Sequence, residues 1–452
     1  MSIARWLDPA SCPAERPPLA AMSAETRDLH AAIDAHAAAT GIPYLHPSSP
    51  TVQLDLYGSA SVVAWQEAKA ECLFAGEQSW SELPQLYARY GTRATQALIT
   101  QVRDLEQAAA VAVCDSGMQA TAITVDALLG AGAHAILCRQ VYNKTRGYLE
   151  WLTGRLGGAV TIIDDGDYAA LRAAVRPTTR LVFAETFTNP LVRAQDIGAL
   201  VAAVKDARAT APAIKLVIDS TIATPWAFKT PLLESGVDVV VASGTKALGG
   251  QDRDLWGYIA TRDVSIGNAV MDLLAMRGGI LDWRRATAIV EALPAAAAAH
   301  ARRCDTAAQV ASFLDTHPRV AQVFHPSLID HPDAATIARD YVRHGSLLSF
   351  RVADADEDMT RHLADVLATC VVIRYALSFD GLATKVNHHR TVSEYFTPMA
   401  QLRQSGFDRL IRLGIGLEAA DDLIACLNWT LHHAASVTTA DLAAWRASRQ
   451  IL

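Results

Sequence analysis

Residues Lys215 to Gly250 read KLVIDSTIATPWAFKTPLLESGVDVVVASGTKALGG, and this stretch decides the fold. Two short β-branched runs, Leu216 to Ile218 and Val237 to Val241, have the length and composition of strands buried on both faces of a parallel sheet. In open α/β sheets ligands bind beyond the carboxyl ends of the strands. Asp219 follows the first run, and Ser243, Thr245 and Lys246 follow the second. A carboxylate and an amine therefore face one crevice.

That pairing suits pyridoxal 5′-phosphate. The lysine would hold the cofactor aldehyde as a Schiff base, the acid would keep the pyridine nitrogen protonated, and two hydroxyls would meet the phosphate. The same residues also fit a plainer arrangement, in which Asp219 caps a turn and Lys246 is a solvated loop side chain. The wording VIDSTIATP followed by ASGTKALGG separates the two. It closely resembles the cofactor-binding core of the cystathionine γ-synthase, cystathionine β-lyase and methionine γ-lyase family, the Cys/Met-metabolism group of fold-type I pyridoxal-phosphate enzymes.

The resemblance extends over roughly residues 85 to 435. Tyr87-Ala88-Arg89-Tyr90-Gly91 is similar to the family's Tyr-x-Arg motif, which implies that Tyr87 and Arg89 reach the cofactor phosphate of an adjacent subunit. Asp115-Ser116-Gly117-Met118 follows an apolar run and opens a helix-forming segment, where free backbone N–H groups suit an anion. It matches the family's Ser-Gly-Met turn, which assigns Gly117 and Met118 to the phosphate. The resemblance also implies that Tyr142 stacks on the pyridine ring and that Asn189, in the turn Glu185-Thr186-Phe187-Thr188-Asn189-Pro190, meets the ring hydroxyl oxygen. Arg412 in LIRLGIGLE would clamp the substrate α-carboxylate with Ser378 nearby, since a guanidinium supplies the fork a carboxylate needs. Lys246, Tyr142 and Asp219 form the implied catalytic set.

Departures from the family cluster where substrate is handled. Asn143 and Lys144 replace the usual small residues after Tyr142, Arg253 is unusual, and Ala383 stands where many γ-specific members carry an acid. Lys144 and Arg253 are expected to meet a distal polar or anionic group of the substrate.

Composition excludes several classes. A net charge of −7 spread along the chain, with no basic block, gives no support for nucleic acid or an anionic membrane as partner. The longest apolar runs break well before the ~20 residues of a spanning helix, and MSIARWLDPASCPAERPP lacks a signal-peptide core, so cytoplasmic residence is expected. Seven cysteines without a Cys-x-x-Cys pair read as reduced thiols. The pairs His388-His389 and His432-His433 place neighbouring imidazoles on different sides of an element, so no metal is expected.

The expected organisation is an N-terminal arm over 1–85, a cofactor-binding large domain over 86–280 and a linker helix with a smaller α/β domain over 281–452. Apolar runs Ala110 to Cys114, Ala135 to Cys138, Val160 to Ile163 and Leu181 to Ala184 alternate with helical patterns, which predicts a doubly wound, mostly parallel sheet. The activity implied is elimination or replacement at the γ or β carbon of an L-α-amino acid, in a homotetramer built from dimers with shared sites. Alternatives are a specialised member acting on an unusual, for example halogenated, γ-substituted amino acid, an aminotransferase, and a non-catalytic pyridoxal-phosphate-binding regulatory protein. A nicotinamide oxidoreductase is disfavoured because no Gly-x-Gly-x-x-Gly opens a helix.

Overall fold

The structure is a computed structural model that describes residues 19–40, 59–76, 78–83, 87–249, 251–395 and 397–449. The Pro-rich pieces of the expected arm, within 1–18 and 41–58, lie outside the described residues.

Among the described residues seven strands form one sheet: β1 (Ala110–Cys114), β2 (His134–Cys138), β3 (Ala159–Ile163), β4 (Thr179–Glu185), β5 (Lys215–Asp219), β6 (Val239–Ala242) and β7 (Gly257–Thr261). Their order is β1-β7-β6-β5-β4-β2-β3. The pairings from β3 through β6 are parallel, as the βαβ rhythm predicts, and the central residues of β2, β4, β5 and β6 are fully buried, while those of the edge strand β3 are half-buried. The sheet has one element the sequence reading lacks. Strand β7 runs antiparallel to both β1 and β6. Its apolar centre, Tyr258-Ile259-Ala260, is too short to announce a strand alone, and neighbours on both sides supply the ladder. Gly257 is required there, because a Cβ would lie 2.5 Å from the carbonyl oxygen of Ser116.

A second sheet of five strands, β8 (Val320–Phe324), β9 (Leu347–Val352), β10 (Ile373–Tyr375), β11 (Thr384–His388) and β12 (Ile411–Gly414), has the order β10-β11-β12-β9-β8. Strand β11 also escapes the sequence reading, since TKVNH is mostly polar. Strand β12 pairs antiparallel with both β11 and β9, so Arg412 lies between Asn387 and Ser349.

One helix, Trp283–Thr316, belongs to both layers. Asp282 caps it by accepting from the N–H of Arg284 at 2.8 Å. Its first half packs Ala286, Ile289 and Leu293 into the core of the large sheet, and its last third packs Val310, Ala311 and Leu314 into that of the small one. Between them Arg303, wholly buried, donates to the carbonyl of Gly381 at 3.1 Å and to that of Ala247 at 3.2 Å. The loop after Lys246 and the loop after Ser378 are thereby fixed to one guanidinium.

The helix Ser59–Ala75 packs on the helix Val264–Arg277 of the large layer. Trp65, Trp80 and Tyr90 form an aromatic cluster, and buried Asn268 satisfies three backbone groups, accepting from the Trp80 N–H at 3.1 Å and donating to the carbonyls of Cys72 at 3.0 Å and Gln78 at 3.1 Å. Among the described residues no helix is long and apolar enough to cross a membrane.

Asn268→Ala strands those buried backbone groups, at a cost of about 2–4 kcal/mol. A lowered thermal midpoint, with limited proteolysis moving to the segment before Tyr87, is expected; an unchanged midpoint and cleavage pattern would show that the helix docks by the aromatic cluster alone.

Candidate active site

The parallel register places Glu185, at the end of β4, directly beside Asp219, at the end of β5. Both line one cavity of about 450 Å³ between the two sheets. The N–H of Tyr142 donates to Glu185 Oε1 at 2.6 Å, and that of Thr221 to Asp219 Oδ1 at 2.9 Å. Among the described residues neither acid has an ion-pair partner. Burial, reinforced by the charge of Asp219, pushes the Glu185 carboxyl well above the usual carboxylate range, and burial also raises that of Asp219.

Lys246 enters from the turn after β6. Its Nζ donates to Ser378 Oγ at 2.5 Å and lies 5.0 Å from the centre of the Phe379 ring. Burial brings its pKa down to about 8, with Asp380 opposing the shift and Arg412 adding to it. The turn is shaped by contact: at Gly244 a Cβ would stand 2.1 Å from the Trp256 indole.

The anion corner is built by close approach. A Cβ on Gly117 would lie 2.5 Å from Ser243 Cβ, so only glycine lets the start of the helix Gly117–Leu128 meet the turn that carries Ser243. Ser116 caps this helix, its Oγ accepting from the N–H of Gln119 at 3.1 Å. The N–H groups of Gly117 and Met118 have no acceptor within the helix and open toward the cavity.

Arg412, 3% exposed on β12, forms the far floor. Its partners are neutral: Asn189 Oδ1 at 3.1 Å and the carbonyl of Leu377 at 3.2 Å. Burial holds its pKa down at about 10. Tyr142, half-exposed, stands at the mouth and precedes the helix Asn143–Arg155.

Gly117, Met118, Tyr142, Asn189, Asp219, Ser243, Lys246 and Arg412 thus come together on one cavity wall. Five residues of the sequence reading stand elsewhere. The Thr245 hydroxyl is absorbed by Trp256, donating to its carbonyl at 3.1 Å and accepting from its N–H at 2.9 Å, instead of lining the cavity. Ser378 holds the Lys246 amine. Tyr87 and Arg89 lie outside the lining of their own chain's cavity, with the Arg89 guanidinium 5.3 Å from the Tyr87 ring. Arg253, expected at the distal substrate group, is turned away. It pairs with Asp254 at 2.7 Å and donates to the carbonyl of Ala288 at 3.3 Å. Sequence reasoning assigned no role to Glu185 or Tyr395, which also line the cavity. Glu185 ends an apolar run next to the run that ends in Asp219, a signal that was present in the text.

These residues fit pyridoxal phosphate. Two buried acids without a cation suit a protonated pyridine nitrogen, the glycine-made corner suits a phosphate, and a buried amine near pKa 8 suits an aldehyde. Residues 51–432 match the family of Cys/Met metabolism PLP-dependent enzymes. The chain is 33% identical over 341 residues to the chloroplastic cystathionine γ-synthase 1 of Arabidopsis thaliana, an alignment covering 75% of this chain and 58% of that protein. It is 29% identical over 344 residues to the L-methionine γ-lyase of Fusobacterium nucleatum, covering 76% and 85%. The crystal structure of cystathionine γ-lyase from Lactobacillus plantarum complexed with L-serine matches with a TM-score of 0.71 at 28% identity, covering 78% of this chain and 89% of that one.

The lowered lysine pKa has a direct readout. Only the neutral amine attacks an aldehyde, so covalent capture of pyridoxal phosphate by the cofactor-free protein should speed up about tenfold per pH unit and level off near pH 8. Stopped-flow absorbance checks this; a rate that keeps climbing toward pH 10 would mean that the amine is hydrated.

Proposed function

Because the chain belongs to the Cys/Met-metabolism family of pyridoxal-phosphate-dependent enzymes, we propose that it catalyses elimination or replacement at the γ carbon, or the β carbon, of an L-α-amino acid. One observation carries this reading: a buried guanidinium with only neutral hydrogen-bond partners, Arg412, shares a cavity with a buried amine, Lys246. A free amino acid presents a carboxylate to the first and an acidic Cα–H to the second.

Bound pyridoxal phosphate supplies the electron sink that makes loss of that proton feasible. Asp219, beside Glu185, holds the proton on the ring nitrogen. Tyr142 covers the ring at the mouth and limits water. Asn189, whose Oδ1 already accepts from Arg412, keeps its NH₂ for the ring oxygen. Gly117, Met118 and Ser243 hold the phosphate. Arg412 fixes the α-carboxylate, and Lys246 takes and returns the proton at Cα and, for a γ leaving group, takes the second one at Cβ. Release of Lys246 from Ser378 frees both groups, the hydroxyl then turning to the carboxylate.

The position of Tyr87 and Arg89 outside their own cavity supports a site completed by a second copy, in a tetramer of two such dimers, and the composition supports a cytoplasmic enzyme.

Incubation with a panel of β- and γ-substituted L-amino acids should release keto acid together with thiol, acid or halide. Stoichiometric conversion of the cofactor to its amine form without release would establish an aminotransferase instead. Arg412→Lys keeps the charge but loses the fork, and should lower kcat/KM by roughly a hundredfold, mostly through KM, in line with about 2–5 kcal/mol for a buried charged contact. Mixing Lys246→Ala with Arg89→Ala protein should recover part of the activity through hybrid dimers. No recovery, with exchange of subunits verified by mass, would place Arg89 outside the site.

A further inference from the structure

Two residues beyond Ser378, which holds the Lys246 amine, the same turn buries a carboxyl group. Asp380 is 2% exposed and takes the left-handed backbone conformation, with φ 58°. The Ser346 hydroxyl donates to its Oδ1. Buried Lys385 donates to the Asp380 carbonyl but pairs with Asp252 at 2.6 Å, so among the described residues the Asp380 carboxyl has no ion-pair partner. One neutral hydroxyl compensates a buried acid poorly, so its own contacts give no reason for an acid at this position.

The Lys385–Asp252 pair joins this turn to the loop that follows Lys246. Asp252 Oδ2 accepts from the Leu382 N–H at 3.1 Å, and a Cβ on Gly381 would lie 2.1 Å from the same oxygen, so the two loops meet closely. Asp380, Lys385 and Asp252 stand outside the cavity lining, while Arg412, Glu185 and Asp219 share the lining with Lys246. Burial is the largest influence on the Lys246 amine; among the charges, Asp380 and Asp252 favour the ammonium, and Arg412 and Lys385 oppose it. The groups that face Asp380 from the long helix Trp283–Thr316 keep one charge state where Lys246 titrates. Burial brings His300 down to about 4 and Cys304 up to about 12, and Arg303 stays cationic.

We propose that Asp380 is a positioning residue for proton transfer: its carboxylate is the counter-charge that balances, through space, the ammonium formed when Lys246 takes the Cα proton, and the Lys385–Asp252 pair fixes that carboxylate in place. The inference rests on the proposed function and adds to it the group that keeps the base strong. Beside Arg412 alone, a second buried cation is disfavoured, and Lys246 would give up its proton too easily. The charge of Asp380 offsets this, and the charge of Lys385 limits the offset, so that the free amine can still attack the cofactor aldehyde. Two demands on one nitrogen, basicity toward Cα–H and neutrality toward an aldehyde, are thereby met by setting one buried carboxylate against one buried ammonium.

Asp380→Asn tests this, because it removes the charge while keeping the shape, an acceptor for Ser346 and a residue that tolerates left-handed backbone. Capture of pyridoxal phosphate by the cofactor-free protein should level off roughly one pH unit lower than in the wild type, and below the wild-type plateau it should be up to roughly tenfold faster, since more of the amine is neutral. Exchange of the Cα–H of L-alanine in deuterium oxide by the holoenzyme, followed by NMR, should instead be roughly threefold slower at its plateau, since the base is weaker. Lys385→Met should move the capture curve the other way, to higher pH. Faster capture joined to slower exchange is the signature of charge; slowing of both is what a damaged loop gives, and it overturns the inference. Capture curves of the two variants that coincide with the wild type, or that shift in one direction together, also overturn it while the proposed activity stands. No exchange by the wild type, with L-alanine or with any γ-substituted amino acid, overturns both.

Discussion

The in-register parallel pairing of β4, β5 and β6 is the constraint on which the rest depends. It sets Glu185 against Asp219 and Asp219 against Val241, so both acids and the turn that carries Ser243 and Lys246 emerge at one edge. A slip of one residue along β5 would turn Asp219 toward the opposite face of the sheet and carry Val217 with it. The run of β-branched residues, buried on both faces, forbids that slip only by packing. The register is further pinned at the other end of the sheet by Asp238, which accepts from the Leu216 N–H at 2.7 Å and pairs with Arg208 at 2.8 Å.

Around that edge the protein keeps like charges together. Two acids share one side of the cavity, and two cations, Lys246 and Arg412, share the other without a carboxylate to receive the guanidinium. Burial penalises each of them, which is why the acids are shifted up and the cations down. Such an arrangement stabilises nothing in the empty chain. It becomes favourable when a ligand brings an N–H to the acids and a carboxylate to the guanidinium, so ligand binding and folding are linked through the same groups. The distant scaffold absorbs the cost: Arg303 and the helix shared by both cores hold the two loops at their spacing while the charged groups are unmatched.

How much of this was legible in the chain depended on where the deciding contact lay. Strands β1 to β6 and the residues that follow them were readable because apolar runs and strand ends are local signals. Thr245 was not. Its hydroxyl has two fates, and the one taken is set by Trp256, eleven residues on, whose backbone N–H and carbonyl both need a partner. Arg253 failed for a similar reason, since Asp254 and the carbonyl of Ala288 compete for it. Strands β7 and β11 carry too little apolar pattern to be seen without their neighbours. Tyr395 had no signal at all, because it comes to the cavity with the segment that Asn143, far away in the chain, ties down through the Ser393 carbonyl.

The contrast between floor and rim follows from the same physics. At the floor each group is buried among others, so changing one leaves a neighbour unpaired and costs several kcal/mol. Lys144 and Tyr395 are solvent-exposed and joined by a long hydrogen bond of 3.4 Å. A charge at the rim is therefore screened by water, whereas one at the floor is not. The residues after Tyr142 follow that division: Asn143 is held in the interior by Ser393, and Lys144, one position further along the helix, faces the mouth. One turn of helix thus carries a structural anchor and a solvated charge side by side.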